Sequence, residues 1–344
     1  MELEKILKSI TAGLSGEPEK DIPYLQAKCE EYKDHEYSQE IIRACGRLLY
    51  DVIPDDMKEK LDRIISNDEK GTESIIKEIR FNVFEGNLEK AFALSEALVE
   101  KTEGMHMYEN DAASEYFTFN EPFEQILYVH YNHPQRDIRH ANIPYAEIFY
   151  LHGNLLFELK RIQEAREYLK KALRWNPVSC TIGFEYIETF KVEKELDTFF
   201  KLTKDQLKYA FKPKDVARCF RNLAYYYVEM REYSVAAACC VMSMMYDNES
   251  NLAQSELYYI QQISPEGYQE TTVELLEQYK VEFGLPTRAS DEVVELAAAC
   301  IQKTYDDGNL EFCTYFLNIF CGLRDNEKAK ELLKEINNKL SKDE

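Results

Sequence analysis

A spacing that occurs twice restricts this chain more than any other feature. Between Ala146 and Ser179, a unit of 34 residues, bulky apolar side chains at Phe149, Leu156 and Leu169 alternate with small ones at Gly153, Ala165 and Ala172, and Pro177 closes the unit. The intervals are helical, with one interruption around Lys160. Two helices with small residues facing each other can approach closely, whereas two helices lined only with large side chains cannot. Ala217 to Ser250 repeats the arrangement through Phe220, Leu223, Ala224, Tyr227, Ala236 and Cys240, with Asn248 in place of the closing proline. Phe149 and Phe220 lie 71 residues apart, two periods of 34 plus three. A divergent unit over Cys180 to Val216 is therefore expected between them, with Phe184 and Phe199 filling its seam.

The rest of the chain is also helical in period. No two-residue alternation bounded by tight turns predicts strands. Twelve glycines and ten prolines in 344 residues are too few for a turn-rich all-β fold. Breaks fall at Gly16–Pro18, Ile53-Pro54, Gly86-Asn87, Asn176-Pro177, Lys212-Pro213, Ser264-Pro265 and Leu285-Pro286, leaving segments of one helix or one helix pair. Gly86–Ala91 and Gly322–Ala329 echo the entry into the second helix of a unit. Four segments are predicted: an N-terminal helical region with divergent hairpins over 1–103, an irregular insertion with one short helix (Phe123–Tyr131) over 104–144, central repeats over 145–264, and C-terminal hairpins with a capping helix over 265–344.

The 34-residue unit resembles a tetratricopeptide repeat. That resemblance implies an all-α fold: a right-handed superhelical array of helical hairpins, an α-solenoid. It also implies that the second, fifth, ninth and twelfth positions of each unit face a concave groove. In the Ala146 unit these are Glu147, Tyr150, Asn154 and Phe157; in the Ala217 unit they are Arg218, Arg221, Tyr225 and Val228, with Asn222 beside them. Asparagine can bond a peptide amide through both donor and acceptor. Arginine can grip a carboxylate with two parallel bonds. Tyr150, Phe157 and Tyr225 offer stiff apolar contact. The set partly resembles repeat domains that clamp a C-terminal carboxylate, but Tyr150 stands where those carry a basic residue. Arg218 and Arg221 could instead be absorbed by acids such as Glu188 and Glu229, holding repeats together.

Forty-two basic against 63 acidic residues leave a charge of −21, which disfavours general nucleic-acid binding. Acids alternating with lysines, as in Glu327–Glu331, predict a solvated surface. Nine cysteines, an odd count with no Cys-x-x-Cys, predict free thiols in a reducing compartment. No signal-like stretch opens the chain, and Val235–Tyr246 is too short to span a bilayer, so a soluble cytoplasmic protein with no membrane partner is expected. His130, His133 and His140 cluster in sequence, but His133 precedes a proline and no cysteine is near, so no metal and no cofactor are expected. His152, in a seam position where leucine is usual, and the Cys239-Cys240 pair are read as packing residues. No nucleophile or phosphate-loop motif occurs. The expected function is a non-catalytic scaffold that binds a protein or peptide segment in the groove. Two rivals are an enzyme or small-ligand site completed by the 104–144 insertion, and a peptide-responsive regulator whose residues 1–70 would read DNA.

Overall fold

The computed structural model describes residues 2–104, 108, 110, 113–264 and 269–343; side chains at 56, 59–70, 342 and 343 are outside the description. His106 and Pro265 therefore lie outside the described residues. Two compact units divide the chain, Met1–Pro177 and Val178–Glu344. Helices dominate both, and adjacent ones pack as hairpins, giving an all-α, tetratricopeptide-like solenoid architecture.

The first unit begins with α1 (Glu2–Ala12), α2 (Pro18–Glu31) and α3 (Ser38–Val52), packed around Leu3, Ile10, Leu25, Ile41 and Cys45. Asp21 is buried and accepts from the Ser15 and Gly16 amides at 2.7 and 2.9 Å, which holds its carboxyl below the usual range. Two hairpins follow, α4 (Asp55–Phe84) with α5 (Leu88–Glu103), and α7 (Tyr145–Glu158) with α8 (Ile162–Trp175). In the second hairpin the close approach is real. A Cβ added at Gly153 would stand 2.8 Å from Leu169 Cγ. Ala165 and Leu169 are fully buried opposite it.

The second unit contains α9 (Cys180–Val192), α10 (Leu196–Gln206), α11 (Pro213–Glu229), α12 (Tyr233–Tyr246), α13 (Asn251–Ile263), α14 (Val273–Glu282), α15 (Asp291–Asp306), α16 (Leu310–Leu323) and α17 (Glu327–Asp343). The divergent unit expected over 180–216 is the α9–α10 hairpin, and Phe184 and Phe199 are buried in it.

One turn recurs through both units. Gly86, Lys160, Lys194, Arg231 and Gly308 all have positive φ, between 58° and 75°. At each, the residue after the turn donates its amide back to the sixth residue of the closed ring: Asn87 to Asn82, Arg161 to Leu156, Glu195 to Phe190, Glu232 to Tyr227 and Asn309 to Thr304, all at 2.8–2.9 Å. This is the Schellman closure, which satisfies the helix's last carbonyls and reverses the chain. Five residues beyond each turn residue stands a fully buried side chain: Ala91, Ala165, Phe199, Ala236 and Cys313. The turns thus mark five hairpins in one register. The expected entry at Gly322–Ala329 is the connection from α16 to α17; Gly322 itself is in the last turn of α16, where a Cβ would meet Pro213 Cγ at 2.9 Å, and the Schellman turn at Gly308 joins α15 to α16.

The insertion also differs from expectation. Its helix, α6 (Pro122–Asn132), is present, but β1 (Ser114–Phe117) and β2 (Asp137–His140) flank it as a parallel pair where loop was predicted, with Ser114 opposite Asp137 and Phe117 opposite His140. Four-residue strands are too short to display an alternation. Side chains of the crossover helix reinforce them: Tyr128 packs at a tilt against Phe117, 4.5 Å between ring centroids, and donates to Glu115 at 3.2 Å. The ribbon is bonded to the α7–α8 hairpin. The Thr118 amide donates to the Trp175 carbonyl, Arg174 to the Tyr116 carbonyl, and Asn176 to the buried Glu124 carboxylate, each at 2.9 Å. Tyr145 stacks on Trp175 at 4.0 Å.

Candidate functional site

The turn register gives every hairpin a common ruler. The groove positions lie thirteen, ten, six and three residues before the left-handed residue, as Glu147, Tyr150, Asn154 and Phe157 do before Lys160. The same count on α4 selects Glu73, Ile76, Arg80 and Val83, and on α9 Thr181, Phe184, Glu188 and Lys191. Sequence reasoning missed the first set and, of the second, named Glu188 as a partner for the arginines and Phe184 as a seam residue. The positive-φ glycine at 86 was a usable signal for the first; the lysine at 194 hid the second.

Within the first unit, Tyr150, Asn154 and Phe157 are all half-buried on α7. The Asn154 Oδ1 is buried without a hydrogen-bond partner. Glu147 reaches α4 through a 2.7 Å ion pair with Arg80. A cavity of about 410 Å³ opens beside that pair, lined by Glu73, Ile76, Lys77, Arg80, Asn142, Pro144 and Glu147. Four of these seven are groove positions of α4 and α7.

Within the second unit, Arg218, Arg221, Asn222 and Tyr225 all lie on α11, and their partners differ. Arg218 donates to Glu185 at 2.9 Å and lies 4.7 Å over the Phe184 ring. Arg221 is largely buried; it donates to Ser243 Oγ at 3.2 Å and faces Asp247 at 3.7 Å. Glu188 and Glu229, suggested as their partners, pair instead with Lys191 at 3.1 Å and Lys194 at 2.9 Å. Lys194 also donates to the Tyr225 hydroxyl at 2.6 Å, and Lys191 stands 4.7 Å over that ring. These bonds raise the Lys194 pKa and lower that of Glu229. Asn222 is buried, and its Nδ2 has no partner. Arg221 loses some basicity to burial. Both arginines are thus engaged in holding α9, α11 and α12 in place.

Elsewhere the chemistry is structural. His152 is buried and stacked on Phe92 at 5.2 Å. Ser95 gives its proton to the Phe92 carbonyl at 2.9 Å, so His152 Nδ1–H donates to the Ser95 oxygen at 2.9 Å. Desolvation pushes the imidazole down to about 4. Cys239 and Cys240 are fully buried, and burial drives both thiols up, Cys240 to about 12. All nine cysteines are free. His130, His133 and His140 are exposed at the end of α6 and of β2. Among the described residues no cluster of three or more His, Cys, Asp or Glu is placed to hold a metal, and no helix is long and apolar enough to cross a membrane. The insertion does line a cavity of about 870 Å³ with α1, but among the described residues its charged lining is Glu4, Lys8 and Asp137.

Residues 146–179 match the tetratricopeptide repeat family. No curated protein matches the chain. The α7–α8 hairpin, with its close crossing at Gly153 and its Schellman turn at Lys160, is a tetratricopeptide repeat set among further helical hairpins.

Proposed function

We propose that this protein is a non-catalytic scaffold whose first-helix faces dock an extended segment of another polypeptide. One observation carries the reading. The 410 Å³ cavity beside α4 and α7 is lined by residues that the turn register independently assigns to groove positions. Its floor is the buried Ile76 and its rim is Glu73, Arg80 and Glu147, so it suits an apolar side chain flanked by peptide polar groups. Asn154, half-buried one helical turn beyond Tyr150, puts a side-chain amide on the same helix face. Tyr150 and Phe157 supply the anchors. Arg218 and Arg221 are taken up by Glu185, Ser243 and Asp247, so the orienting role expected of Asn154, Arg218 and Arg221 together falls to Asn154.

The test is selection of binders from a random phage-displayed peptide library, followed by anisotropy measurements on the intact protein. Phe157→Ala and Asn154→Ala should each weaken a selected peptide at least about tenfold, the effect of losing ~1.4 kcal/mol. Lys170→Ala, on the exposed side of α8, should leave it unchanged. Equal binding by all three variants would refute the docking face.

A further inference from the structure

We propose that the second unit also carries a site for a phosphate monoester dianion, separate from the docking face. The chain bears a charge of −21, yet a cavity of about 300 Å³ in this unit is lined by Lys204, Lys208, Lys280 and Arg288, with Asp291 as its acidic member. Three stretches of chain supply these cations: α10 and its exit, the last turn of α14, and the segment leading into α15.

That segment is firmly placed. Leu285 and Ala289 are each 1% exposed, and the Ala289 amide donates to the Tyr246 hydroxyl at 2.8 Å. Gly284 turns the chain at φ 58°, and its carbonyl accepts from Lys204 Nζ at 3.2 Å. The cations are therefore mounted on a fixed frame. Asp291 offsets only part of this charge, because its one carboxylate is shared between Arg288, at 2.7 Å, and Arg324. Lys208 and Lys280 pair with Asp205 at 2.9 Å and Glu277 at 3.6 Å, exposed partners three residues away in sequence. Exposed pairs of this kind are weak and are readily exchanged for a stronger anion.

The size and lining define the ligand class. Three hundred cubic ångströms is at the small end of ligand cavities. Leu207, Leu285 and Pro286 wall it, and among the described residues no aromatic ring lines it on which a nucleobase could stack. A dianion engages several ammonium and guanidinium groups at once, where a carboxylate would leave most of them unused. The phosphate monoester could be a phosphorylated serine or threonine of a partner, or a small free phosphate ester.

Calorimetric titration of the intact protein distinguishes these sources. The probes are inorganic phosphate, glycerol phosphate, and a short phosphoserine peptide with its unphosphorylated form. Saturable one-to-one binding of phosphate is expected, weakened at least about tenfold in Lys280→Gln/Arg288→Gln, whose side chains are more than half exposed. Melting in phosphate-free buffer should be the same for both proteins. Tighter binding of the phosphopeptide identifies a modified partner, and tighter binding of glycerol phosphate identifies a free ester; either supports the dianion site. No saturable phosphate binding by the wild type, or equal affinity in a double variant of unchanged melting, overturns it. Peptides selected on the docking face should bind this double variant normally, so the two sites fail independently.

Discussion

The hairpins α7–α8 and α9–α10 share a turn but pack their seams in opposite order. In α7–α8, the layer nearer the turn holds two small residues, Gly153 and Ala165, and the layer one helical turn further out holds Phe149 and Ala172. In α9–α10, the inner layer holds Ile187 and Phe199, and the outer layer holds Gly183 and Gln206. A Cβ at Gly183 would stand 1.9 Å from Gln206 Oε1, so the close approach has moved outward by one turn. Gln206, buried there, donates to Cys180 Sγ at 3.3 Å. The α11–α12 hairpin returns to the first arrangement, with Ala224 and Ala236 inside and Phe220 and Ser243 outside. The constant of these hairpins is therefore the turn and its register; the large and small layers can be exchanged so long as each is filled.

The sharpest way to break this comparison is Phe199→Ala. Alanine is native at the same register position in three other hairpins, yet here it should cost about 3–5 kcal/mol in denaturant unfolding, because Ile187 and Gly183 cannot fill the void. A cost under about 1 kcal/mol would mean that the seam is not exchanged. Next in size is an acid effect on α7. His152 stays neutral in the fold down to about 4, while an unfolded imidazole protonates near 6.5. Its stabilising contribution is complete above pH 6.5 and is lost as pH falls towards 4, by ~3 kcal/mol. His152→Leu should remove that part of the pH dependence, measured as the difference between the two unfolding curves. A smaller effect is expected of Gly153→Ala, which should destabilise by about 1–2 kcal/mol despite its better helix propensity, since Leu169 and the Ala165 carbonyl crowd the new methyl. Least is Gly86→Ala, at about 1 kcal/mol for its positive φ, whereas Lys160→Gly should be close to neutral because that turn already holds a side chain in the same conformation.

Legibility in the sequence followed the same division. The α7–α8 and α11–α12 units were visible because Gly153, Ala165, Ala224 and Ala236 leave a small-residue signature. The seam of α9–α10 was located by spacing alone, since Phe199 occupies the diagnostic alanine place. The connection from α16 into α17 was legible at Gly322–Ala329, whereas the turn of the α15–α16 hairpin at Gly308 was not read, and the missing side chain of Gly322 serves Pro213. The β1–β2 pair gave no signal because its cohesion lies in Tyr128, Arg174 and the Thr118 amide, contacts distant in sequence. At the candidate site, residue positions could be read from the sequence but ion-pair partners could not. Glu185 is adjacent to Phe184 in the chain, and only the structure shows that it, rather than Glu188, receives Arg218.

Backbone amide exchange of the intact protein, with and without a saturating selected peptide, tests the central claim most directly. The account predicts added protection along α4 and α7, the first helices of their hairpins, with the exposed face of α8 unchanged. Protection confined to the second helices, or to the β1–β2 insertion, would contradict it.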